Sequence, residues 1–107
     1  MHLKIVKYHE DELILNLKEV SRNLNKVCSG RSIKWEVNGL AHCNETVFLT
    51  LDQVAHCPCE YFFAEIKADS VQNLEEEIQT HWQSGILLMG MIKVTSDEHI
   101  ALYRREK

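Results

Sequence analysis

The chain writes one apolar pattern twice, and that repetition constrains its fold more than any other feature. "LKIVKY" (Leu3 to Tyr8) is a short β-rich run. After it Leu13, Leu17, Val20, Leu24 and Val27 follow at spacings of four and three, which is one face of a helix. "SGR" breaks the helix, with Gly30 suited to a left-handed C-terminal cap. "SIKWEV" alternates Ile33, Trp35 and Val37 against Lys34 and Glu36, the signature of a half-buried strand. "NGLAHCNE" has turn chemistry, and "TVFLTL" returns as the second arm of a hairpin with Cys43 at its tip.

The second half follows the same order. "EYFFAEIKA" reads as a strand. Asp69 or Ser70 caps a helix that lines up Val71, Leu74, Ile78 and Trp82, and Glu75 to Glu77 favour its early turns. "SG" at Ser84 and Gly85 closes it, "ILLMGMIKV" is a strong strand, "TSDE" a turn and "HIALYRR" the return strand. A shift of 54 residues superposes Leu17 on Val71, Val20 on Leu74, Leu24 on Ile78 and Cys28 on Trp82. Two β-α-β-β halves therefore account for the chain. A ferredoxin-like βαββαβ core with an added hairpin is the alternative.

From this order we expect an α+β fold: an antiparallel sheet of about six strands with two helices on one face. Residues 1–107 form one domain on this reading, with halves at 1–52 and 60–107. A length of 107 residues is enough to bury roughly two thirds of the unfolded surface without staples. Trp35, Leu24, Leu74, Ile78 and Trp82 are expected in the core, with Trp82 packed under the following strand. His81 lies off that stripe and is expected in solvent.

The stretch "EEEIQTHWQSGILLMGMIKVTSDEHIALYRRE" resembles the end of small uncharacterised bacterial domains, in which a helix closes on Trp-x-x-Gly and a last strand ends in Arg. The likeness covers about half of the chain. It implies a compact α+β domain of unknown function, and no catalytic residue carries over from it.

A net charge of −4 argues against a broad phosphate-binding surface, hence against general nucleic-acid binding. No apolar run approaches the roughly 18 residues that cross a bilayer, so no membrane role is expected. "MHLKIVKYHEDEL" carries acidic residues where a secretory signal would continue its apolar stretch. The expected compartment is the cytoplasm, where thiols stay reduced.

Chemistry is densest at "AHCPCEY", residues 55–61, which surrounds the only proline, Pro58. Two thiolates and a histidine suit zinc, although the common structural pairs are C-x(2–4)-C and this is C-x-C. Topology brings Cys28, His56, Cys57 and Cys59 to the same end of the fold, and leaves His42 and Cys43 at the far hairpin tip. The alternative is that Cys28 and one of the linker thiols are small buried hydrophobes, and that "AHCPC" is a linker between the halves. A thioredoxin-like role wants C-x-x-C at a helix start, which "CPC" between strands does not supply. No phosphate loop, Ser-His-Asp order or H-E-x-x-H helix is present.

Helices on one face leave the other to be covered. Phe48, Phe62 or its neighbour, Met89 or Met91, and Tyr103 alternate onto it, and "ILLMGMI" is apolar at successive positions, as in a strand covered on both faces. The leading expectation is a non-enzymatic cytoplasmic interaction module that self-associates as a homodimer or other homo-oligomer, or meets a protein partner. The second is a small metal- or thiol-dependent protein working through Cys28, His56, Cys57 and Cys59, with zinc as the candidate cofactor. A third is an apolar ligand held between the sheet and another subunit.

Overall fold

The computed structural model describes residues 3–56, 59–67 and 70–106. The elements run β1 (Leu3–His9), α1 (Glu10–Leu15), α2 (Leu17–Cys28), β2 (Lys34–Cys43), β3 (Thr46–Val54), β4 (Cys59–Lys67), α3 (Val71–Gln83), β5 (Ile86–Lys93) and β6 (Glu98–Glu106). The α+β class and the two βαββ halves are both present, and the βαββαβ alternative does not describe this order. The six strands divide into two antiparallel sheets of three, ordered β1-β3-β2 and β4-β6-β5. Each half thus builds its own sheet, with its last strand in the middle.

The repeat extends to the irregularities. β2 slips register against β3 between Val37 and Gly39, and β5 slips against β6 between Leu88 and Gly90. Aligning the two bulges superposes Thr50 on Leu102, and through the outer pairings Ile5 on Phe63 and Leu3 on Tyr61. In the first bulge the Asn38 amide donates to Asp52 and accepts from the Thr50 hydroxyl. A Cβ on Gly39 would sit 2.7 Å from that hydroxyl, so glycine lets the bulge close.

The first helical stretch is two helices. His9 caps α1 through a capping box: its Nδ1 accepts from the Asp11 amide at 3.1 Å, and the Glu12 carboxylate accepts from the His9 amide. Asn16, at φ −140° and ψ 52°, leaves helical geometry and turns the chain into α2. β2 is also longer than expected. "NGLAHC" is strand rather than turn, and only Asn44 and Glu45 connect the hairpin, with Asn44 at φ 56°. The expected left-handed glycine is at Gly85 (φ 79°), not at Gly30. Gly30 is instead constrained by space: a Cβ there would meet the Ile33 carbonyl oxygen at 2.7 Å.

One core serves both halves. Tyr8, Val37, Val47, Leu49 and Leu51 of the first sheet pack with Tyr61, Phe63, Ile92, Ile100 and Leu102 of the second, and Leu13, Val20, Leu24 and Cys28 of α1 and α2 fill the space between. β2 and β5 approach closely, where a Cβ on Gly90 would lie 3.1 Å from the Leu40 Cβ. On the other side α2 lies along the outer edge of β4. Asn25 donates to the Tyr61 carbonyl and accepts from the Tyr61 amide, both at 2.8 Å, and the Ser21 hydroxyl accepts from the Phe63 amide at 2.9 Å. The helix thus satisfies backbone groups that a neighbouring strand would otherwise take.

α3 packs on the opposite face of the second sheet, so the two helical segments do not share one face of one sheet. A smaller apolar cluster lies beneath it: Ile66, Ala101 and Tyr103, with Phe62, Leu74 and Leu88 against them. Here the expected core is corrected. Leu24 is buried, while Trp35, Leu74 and Ile78 are half-buried and Trp82 is 66% exposed. The phase of the helix decides this. With Leu74 and Ile78 inward, the next inward position is His81, and Trp82, about 100° further round, faces outward. His81, expected in solvent, is half-buried against Tyr103.

Candidate interaction surface

The residues singled out for metal chemistry divide. Cys28 and Cys59 are both buried in the main core, near Tyr61. His56 is exposed. Cys57 lies outside the described residues, as do Pro58 and Asp69. Among the described residues no group of three or more His, Cys, Asp or Glu side chains is placed to hold a metal ion. Cys43 is exposed at the hairpin tip opposite Thr46, and His42 faces Glu10 at 3.0 Å, so the first "AHC" serves the end of the first sheet.

The expected open face is split as well. Phe48 lies on the outer face of the first sheet, while Phe62, Met91 and Tyr103 lie on the outer face of the second, beside α3. Residues 86–91 of β5 are all half-buried, and only Ile92 is buried.

The densest arrangement of side chains is on this second outer face. Phe62 stacks on Tyr103 at 5.5 Å with an interplanar angle of 27°, and His81 sits 4.5 Å from Tyr103. The Arg105 guanidinium lies 6.0 Å over the Phe62 ring and pairs with Glu60 at 2.7 Å. His81 Nε2 is 3.3 Å from a Glu77 carboxylate oxygen, one helical turn back. Burial, and then the Glu77 carboxylate, raise the Tyr103 pKa. Its buried hydroxyl has no hydrogen-bond partner among the described residues.

α3 covers this face incompletely. Ser70 caps it by accepting from the Asn73 amide at 3.2 Å, yet none of its residues is fully buried. Val71 (82% exposed) and Trp82 share one flank of the helix and stand open to solvent. Sequence periodicity found this stripe but placed Trp82 inside, because a four-residue step from Ile78 looks the same as a three-residue step until a sheet fixes the helix phase.

Among the described residues the clefts differ in size and in character, and one of about 330 Å³ opens beside Tyr8, Asn16 and Val20. The space bounded by Ile14, Leu17, Val94, His99 and Ile100 holds about 10 Å³, near the minimum for one water. A cleft of about 390 Å³ at Glu65, Lys67, Asn73 and Glu77 is open and polar, unlike an apolar ligand site. No helix among the described residues is long and apolar enough to cross a membrane.

No protein-family model, curated protein or solved structure matches this chain. The resemblance of its C-terminal half to small bacterial domains therefore carries no function further, and function has to be argued from the surface itself.

Proposed function

We propose that this chain is a cytoplasmic, non-enzymatic module that associates with itself through α3 and the outer face of the second sheet. The observation that carries the reading is the contrast between the two helices. Leu17, Val20, Leu24 and Cys28 of α2 are half-buried or buried, whereas the superposable Val71, Leu74, Ile78 and Trp82 of α3 are half-buried or exposed. Trp82 is an exposed aromatic of the type that centres interfaces, and Val71 stands exposed on the same flank of the helix. Analytical ultracentrifugation from low to high micromolar concentration is expected to show reversible association, and Trp82→Glu to weaken it at least about tenfold. A strict monomer at high micromolar concentration would remove the proposal.

A second reading keeps the thiols. Cys28 and Cys59 share the core around Tyr61, and Cys57 is two residues from Cys59. If these thiols hold zinc, native protein carries it near stoichiometrically by elemental analysis. Cys57→Ser then releases the metal, and Cys43→Ser does not. Metal-free native protein whose cysteines all tolerate serine ends this reading.

A further inference from the structure

Resting on the self-association reading, we propose that what docks on α3 is the outer face and free edge of β1 in a second copy, in a head-to-tail contact that repeats between molecules the interface already present between the two halves.

Within the chain, the helix of the first half covers the first strand of the second. α2 satisfies the edge of β4 through Ser21 and Asn25, and Tyr61 and Phe63 are buried. The equivalents of that strand and those residues are β1, Leu3 and Ile5. Among the described residues no strand pairs with the outer edge of β1, and Leu3 and Ile5 are 60% and 55% exposed. The helix that would cover β1 by the same relation is α3. Exposed apolar side chains thus occur on both surfaces at positions whose counterparts are shielded inside the molecule.

The polar chemistry repeats too. At the shift that superposes the helices, Asn25 corresponds to Gln79 and Ser21 to Glu75. Gln79 carries the same amide that pairs with both backbone groups of Tyr61, now available for Leu3. Glu75 supplies an acceptor for the Ile5 amide where Ser21 accepts from Phe63. Charge favours a second copy over an unrelated partner: Lys7 shares the outer face of β1 with Leu3 and Ile5, and β1 holds no carboxylate, while α3 holds Glu75, Glu76 and Glu77 and no lysine or arginine. A contact between two different surfaces closes as a ring or continues as a filament, whereas a face meeting its own copy gives a two-fold dimer.

Complementation between variants separates these cases. Ile5→Glu and Trp82→Glu alter exposed side chains on opposite surfaces, and circular dichroism verifies that each stays folded. Leu3→Glu and Val71→Glu stand in for either that does not. Each single variant is expected to weaken self-association at least about tenfold. Mixing the two in equal amounts is expected to restore a complex, since one copy keeps an intact β1 surface and the other an intact α3 surface. Wild-type protein that never associates overturns both this proposal and the reading beneath it. Association that survives Ile5→Glu but not Trp82→Glu, or that both variants abolish without recovery on mixing, overturns the head-to-tail contact and leaves the self-association reading standing.

Discussion

Asn25→Ala is expected to destabilise the fold by about 2–4 kcal/mol, because it strips two hydrogen bonds from the edge of β4 and leaves both backbone groups of Tyr61 without their acceptor and donor. Tyr61 is buried, so water does not readily replace the lost amide. The comparison is Asn23→Ala, two residues earlier on the same helix. That change removes only the acceptor for the Tyr8 hydroxyl, an ordinary side-chain bond of 2.9 Å worth about 0.5–1.5 kcal/mol. Urea unfolding of both variants measures the difference directly. Equal and small losses would show that α2 is held on β4 by apolar packing alone, with Leu24 and Cys28 sufficient. A large loss confined to Asn25 would establish that the two halves are locked by a helix acting in place of a strand.

That lock also explains which parts of the fold were legible in the sequence. Strand and helix identities followed from local apolar periodicity, and the duplication followed from comparing the two patterns. The pairing of α2 with β4 did not, because a polar Asn on a helix looks solvated until a strand edge from 36 residues away meets it. Asn16 divides the first helix although Leu13 and Leu17 continue one stripe across it, since periodicity registers a face and not a change of direction. "NGLAHC" resembled a turn because Asn and Gly cluster there, and those two residues instead build a bulge inside a long strand. Gly30 and Gly85 follow the same Ser-Gly dipeptide, yet one is required by close approach and the other by a positive φ. Strand length led to the expectation that Cys28, His56, Cys57 and Cys59 share one end of the fold; Cys28 and Cys59 lie in the main core, and His56 is exposed. Trp82 was misplaced because the stripe Leu74, Ile78 continues equally well to His81 or Trp82, and only the sheet beneath α3 selects His81 as the inward residue.

The same core makes a prediction about pH. Tyr8 and Tyr61 are each pushed up to about 12 from the ordinary 10, in both cases chiefly by burial. The Cys28 thiol adds to both shifts, and the hydrogen bond from the Val37 amide to the Tyr61 hydroxyl opposes its shift in part. A folded state that holds these protons more tightly than the unfolded chain has their full contribution below pH 10 and loses it as the pH rises through 12. Each tyrosine contributes at most about 3 kcal/mol to this loss, from the roughly 1.4 kcal/mol that accompanies each unit of pKa difference. Unfolding free energy is therefore expected to fall steeply on the alkaline side, with native near-ultraviolet dichroism disappearing as tyrosinate absorbance grows. Tyr61→Phe separates the causes. At neutral pH it should cost about 1–3 kcal/mol by leaving the Val37 amide without an acceptor, and its alkaline loss should be visibly shallower than that of the wild type. If both proteins fall with the same slope, Tyr61 does not govern alkaline stability.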